Sequence, residues 1–166
     1  LFQGELDLNS MQHRPYLDNT VKDRKYDLVE VAKSVNFPMA AYSQKFKKGD
    51  KIADGATIGI PNDPTNGGRA LLLLAAQKLI TLKDGVGLEA TPNDIVENPK
   101  NLQFEEIEAA QVPNVLADVD FGIANGNYAL SAGIADTALV KESAESEAAT
   151  TYANVLAIRE GDDRPE

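Results

Sequence analysis

The stretch ATIGIPNDPTNGGRALLLL, residues 56–74, limits the fold of this chain more than any other. A β-branched run closed by Pro61 reads as a buried strand. NDPTN makes a turn, and a helix is expected from about Thr65 to Leu79. Strand, tight turn and apolar helix in direct succession open a β-α-β crossover. The alternation continues to Ala129. TPNDIVEN (91–98) has a helix start, with Thr91 as N-cap, Pro92 behind it and Asp94 in the first turn. NLQFEEIEA (101–109) reads as a strand, AAQVPNVLADV as a short helix, and DFGIANGNYA (120–129) as a strand ending in a glycine loop with a helix after it. The expectation is an α/β fold with a parallel, helix-covered sheet.

The flanks are simpler. ELDLN (5–9) alternates like a short strand, and Pro15 opens a helix whose apolar face is Tyr16, Leu17 and Val21. YDLVEVA (26–32) and MAAYS (39–43) are extended, and GDKIADG (49–55) is a turn or short helical piece. TALVKE (137–142) is a brief strand, ESAESEAATT (142–151) a polar surface loop, YANVLAIRE (152–160) a strand, and GDDRPE a polar tail.

At 166 residues and 43% hydrophobic, the chain can form one domain or two small lobes around an ordinary core. Its net charge of -10 repels phosphate backbones and anionic lipid surfaces, so no nucleic-acid partner is expected. Cysteine is absent, which removes disulfides, thiol catalysis and Cys-based metal sites. No apolar run approaches the ~20 residues that span a bilayer. LFQGELDLNS lacks the basic start and apolar core of a signal peptide, and LFQG resembles the remnant of a cleaved purification tag.

Arg69 is the residue that most needs explaining. It stands where a glycine-softened turn meets a Leu-rich helix. A cation in the first turn opposes the helix dipole by about 0.3–1 kcal/mol, so an anion is expected beside it. A planar guanidinium suits a carboxylate. The residues leave two partners open: a ligand anion at the C-terminal edge of the sheet, or an internal Asp or Glu. A nucleotide P-loop is excluded, because Lys-Ser/Thr does not follow the second glycine.

IPNDPTNGGRALLLL, LKDGVGLEATPNDIVENPKNL, EAAQVPNVLADVD, ANGNYA, YANVLAIRE and ELDLNSMQHRPYLD occur in order along nearly the whole chain. Together they resemble the NlpA family, the substrate-binding lipoproteins of bacterial methionine importers. The resemblance implies a type II periplasmic-binding-protein fold, truncated at both ends. A complete second lobe would span residues 43–150; a partial first lobe would comprise 1–42, with 1–4 as possible tag, and the return strand and tail 151–166. It implies no enzyme and no cofactor. It also implies a periplasmic location, or one on the outer face of the cytoplasmic membrane, with the parent lipid-anchored and partnered by an ABC permease and ATPase.

The resemblance also implies ligand contacts. Arg69 matches the family's partner for the amino-acid carboxylate, and Asn125 matches an Asn that bonds the amino-acid backbone. Asn154 matches a second polar contact, and His13 and Tyr16 match an aromatic wall around the ligand side chain. Met11 stands where the family usually has Phe. L-methionine is the expected ligand, bound between two lobes, with another apolar amino acid or a methionine dipeptide as runner-up. On the residues alone, Asn125 reads as capping its own turn, Asn154 as a strand-edge Asn and His13 as structural.

Asp63 and Asn66 are expected to cap the turn and helix. Glu105 and Glu106 are adjacent in a strand and cannot form a carboxylate pair. Glu142, Glu145 and Glu147 read as solvated surface. A Ser10, His13 and Asp18 triad would lie on one local stretch with no oxyanion framework. The alternative to a receptor is a truncated, non-binding interaction module whose unfinished sheet edge favours self-association.

Overall fold

The computed structural model describes residues 1–143 and 150–162. The tail 163–166 and most of the loop 142–151, including Glu145 and Glu147, lie outside the described residues. In chain order the elements are α1 (Arg14–Arg24), β1 (Leu28–Lys33), β2 (Met39–Tyr42), β3 (Thr57–Pro61), α2 (Pro64–Ala76), β4 (Thr81–Leu82), β5 (Ile95–Glu97), β6 (Gln103–Ile107), β7 (Phe121–Asn125), α3 (Gly126–Ser131), β8 (Val140–Lys141) and β9 (Val155–Arg159). Short 3-10 turns join several of them. The chain divides into two compact units, Leu1–Phe37 with Ser143–Glu166, and Pro38–Glu142.

In the first unit, β1 and β9 form an antiparallel pair. Helix α1 starts with Pro15 in its first turn and stops where Lys25 turns left-handed. Its Leu17 is buried against Val155 and Ala157 of β9. The strand expected over 5–9 does not form; Asn9 alone makes an isolated bridge, to Ala157. Leu6 and Leu8 stay exposed, so the alternation there buries no apolar face.

The second unit holds a five-stranded sheet in the order β6-β3-β7-β2-β8. β3 runs parallel to β6 and β7. β2 runs antiparallel to both β7 and β8, so the sheet is mixed and not wholly parallel as expected. Hydrophobic alternation reports which faces are buried; it carries no information about strand direction. Every residue of β7 is buried. The core combines Ile58 and Ile60 of β3, Ile123 of β7 and Leu71, Leu73 and Leu74 of α2.

Helix α2 begins at Pro64, capped by Asp63, whose carboxylate accepts the Asn66 N–H. It ends at Ala76, short of Leu79, because Lys78 takes a left-handed φ of 58°. Gly67 and Gly68 therefore lie inside the helix, not in a loop. A Cβ on Gly67 would stand 2.7 Å from the Pro61 carbonyl oxygen, and one on Gly68 would strike the Leu88 carbonyl. These glycines permit close backbone packing of the helix. Arg69 falls in the second helical turn, beyond the first-turn position expected for it.

Two other helix expectations need correction. Thr91 and Asp94 bond each other as a capping pair, but the helix stops after a 3-10 turn at Pro92–Asp94. The β-branched Ile95 and Val96 pass instead into β5. At 120–129, α3 starts at Gly126 directly from β7, so no glycine loop intervenes.

Asp120, just before β7, accepts the Thr57 N–H at 2.9 Å and pairs with Lys45 at 3.2 Å. The backbone hydrogen bond first, and Lys45 after it, hold its carboxyl below the usual range. A depressed folded-state pKa contributes stability above the unfolded pKa, which is lost as pH falls through the folded value. Asp120→Asn should therefore lower the urea midpoint at pH 7, and the gap from the parent should close as the medium is acidified through the carboxylate range. A pH-independent gap would mean the carboxylate charge is not involved.

Candidate functional site

Four expected contacts meet in the first unit. His13 is the N-cap of α1, and its Nδ1 accepts the Tyr16 N–H at 3.1 Å. An Nδ1 acceptor carries no proton, so a neutral ring in this arrangement is the Nε2–H tautomer. The His13 ring stands edge-on to Tyr16, with centroids 6.1 Å apart, and to Tyr152 at 5.2 Å. His13 bridges Asn154 through the backbone, and Asn154 Nδ2 donates to the Met11 carbonyl at 3.3 Å. Met11 itself has 52% of its surface exposed. Tyr152, buried beside His13, is an aromatic that sequence reasoning did not single out; its signal was its place in the YANV block.

The second unit gathers the remaining two. β3 and β7 are parallel, so Pro61 and Asn125 both mark carboxyl ends, the usual ligand edge of an α/β sheet. Asn66 and Arg69 are three residues apart on α2, hence on one face of the helix. Both are buried, at 6% and 2% exposure. Asn125 is the N-cap of α3, yet its side chain makes no capping bond. Its Nδ2 donates instead to Asn66 Oδ1 at 2.7 Å. The reading of Asn125 as capping its own turn is thereby excluded. Asn125 Oδ1 is buried and has no hydrogen-bond partner among the described residues.

Arg69 grips Glu142. Its Nε donates to Glu142 Oε1 at 2.8 Å, and its Nη2 donates to Oε2. Glu142 Oε2 also accepts the Met39 N–H at 2.8 Å. The Glu142 side chain is only 8% exposed, so its assignment to solvated surface is wrong. The buried guanidinium supplies the reason: two charges withdrawn from water require each other. Of the two partners the sequence left open for Arg69, an internal carboxylate is present. Glu142 was missed because its 73-residue separation from Arg69 gives no local signal. The unit thus holds a cation and a carboxylate paired with each other and, on Asn125, a buried amide oxygen with no hydrogen-bond partner among the described residues. Among the described residues, no group of three or more His, Cys, Asp or Glu is placed to hold a metal.

A sequence model of the NlpA lipoprotein family matches residues 1–166. The chain belongs to that family. As an NlpA-family chain it has close curated relatives. It is 47% identical to the D-methionine-binding lipoprotein MetQ of Salmonella typhimurium over 164 residues, covering 96% of this chain and 59% of that protein. It is 51% identical over 134 residues to a MetQ lipoprotein of Pasteurella multocida, covering 81% of this chain and 49% of that one. The chain thus spans about half to three-fifths of these relatives' length. Its fold is similar to a nutrient-binding protein from Burkholderia cenocepacia bound to methionine, at a TM-score of 0.91 and 46% identity, over 99% of this chain and 69% of that one.

Proposed function

We propose that this chain is part of the substrate-binding protein of an amino-acid ABC importer and binds methionine without chemical change. The carrying observation is the family match along the whole sequence, joined to the likeness to a methionine-bound nutrient-binding protein. On this reading the second unit is a complete lobe of a type II periplasmic-binding-protein fold and the first unit is part of its counterpart. Arg69 is assigned to the ligand carboxylate, with Glu142 holding the guanidinium plane, and Asn125 to the ligand backbone. Met11, His13, Tyr16 and Asn154 are assigned to the ligand side chain and its surroundings. The parent is read as a lipid-anchored protein of the periplasm or the outer face of the cytoplasmic membrane, delivering its cargo to a permease and ATPase. Binding proteins, not enzymes, are what the relatives are named for.

A second reading is favoured by one observation: Arg69 already grips a carboxylate of its own unit. On that reading the chain is a folded module that binds no amino acid and associates with other copies. Calorimetric titration separates the two. With L- and D-methionine injected in parallel, the receptor reading expects at least one Kd of about 1 μM or tighter, near −8 kcal/mol. Absence of heat from both, with a folded circular dichroism spectrum, supports the module.

A further inference from the structure

The polar chain running from Asp63 through Asn66 to Asn125 has a fixed direction. Asp63 caps α2, and its carboxylate accepts from the Asn66 N–H, from Thr65 Oγ1 and from Asn66 Nδ2. A carboxylate offers acceptors only, so the Asn66 amide must turn its NH2 group toward Asp63. Its Oδ1 then faces Asn125 and must receive a donor, which is Asn125 Nδ2 at 2.7 Å. The orientation of the second amide follows from the first. Asn125 is left presenting a carbonyl oxygen, buried and unmatched among the described residues, at the carboxyl end of β7.

Resting on the reading of the chain as an amino-acid receptor, we infer that Asn66 is a specificity-determining positioning residue. It fixes the Asn125 amide so that Oδ1 accepts a hydrogen bond from the ligand's α-ammonium group. A free Asn side chain is ambiguous, because rotation by half a turn exchanges acceptor for donors. An unrestrained Asn125 would accommodate a carboxylate oxygen through its NH2 group as readily as an ammonium through Oδ1. Anchored to Asp63, the pair cannot rotate without facing donor to donor or stranding a buried group. The ligand class this selects is a primary α-amino acid. Its deaminated acid would leave the same oxygen unsatisfied in a buried place.

The test compares methionine with 4-(methylthio)butanoate, which lacks only the amino group, by calorimetry on the full chain. The parent should prefer methionine by about ten- to a hundredfold, the scale of one unsatisfied buried group. Asn66→Ser retains a hydroxyl for Asp63 but is too short to hold Asn125. It should weaken methionine by about tenfold and the deaminated acid by less than about threefold, lowering the preference by at least about threefold. A purely structural role for Asn66 would weaken both ligands alike, and that result overturns the inference. A parent that binds both equally also overturns it while leaving the receptor reading intact. A parent that binds neither sinks the receptor reading and the inference together. Should Asn66→Ser not fold, carbon NMR of the parent decides: the Asn125 side-chain carbonyl should shift with methionine and stay in place with the deaminated acid. Equal shifts with both ligands overturn the assignment.

Discussion

Arg69→Ala should cost about 3–5 kcal/mol of stability, the range for breaking a buried ion pair by deleting one partner. The residue is 2% exposed, and its loss strands the Glu142 carboxylate, itself 8% exposed, without its cation. Against a typical domain stability of about 5–15 kcal/mol, that is a large fraction. The sequence, which places Arg69 where a turn meets the start of a helix, points instead to a mild effect. Urea unfolding at pH 7 measures the difference. Removing both charges with Arg69→Met and Glu142→Gln should recover much of the loss, because the penalty lies in the unpaired charge more than in the missing contact. Additive losses in the double variant would show that the two side chains do not depend on each other. A near-neutral Arg69→Ala would place the guanidinium in water, contrary to its burial.

Gly68→Ala is the second large effect. In an exposed helix interior this substitution stabilises by about 0.5–1 kcal/mol, because alanine loses less backbone entropy. Here the sign should reverse. The added methyl would stand 2.8 Å from the Leu88 carbonyl carbon and 2.9 Å from the Ala90 nitrogen, both backbone atoms. Backbone cannot step aside as a flexible side chain can, so either α2 or the 3-10 turn at Gly87–Glu89 must move. A loss of about 3 kcal/mol is expected, the upper part of the usual overpacking range. Amide NMR shifts should be concentrated at residues 87–90 and in α2. A variant as stable as the parent would mean that this close approach is not maintained in solution.

Both predictions turn on interactions invisible in local sequence. The candidate site shows the same division. Asp63 followed by Pro64 announces a capped helix, and Asp63 does cap α2. The strand ATIGIP, the helix opened by Pro15 and the apolar face on Leu17 were likewise legible, since each depends on neighbours within a few residues. Misreadings arose where a local signal met a distant competitor. The capping pair Thr91 and Asp94 promised a helix, but Ile95 and Leu82 pair as strands and end it. The acidic Glu142 read as surface because its neighbours are polar, while the group that buries it lies on α2. Asn125 stood at a helix start, where local capping is the ordinary use of the residue, yet its partner came from another helix.

Sequence by itself determined the α/β succession, the helix starts beside Pro15 and Pro64, and membership of the NlpA lipoprotein family through ordered blocks spread over the chain. Those features reside in spacing, backbone restriction and short-range hydrogen bonding. Tertiary structure alone decided that the sheet is mixed, that Gly68 meets the Leu88 backbone, that Arg69 is held by Glu142, and that Asn66 fixes the sense of Asn125. Each of these joins atoms from segments far apart along the chain. Their energy depends on burial and on which donor faces which acceptor, quantities that exist only once the segments have been brought together.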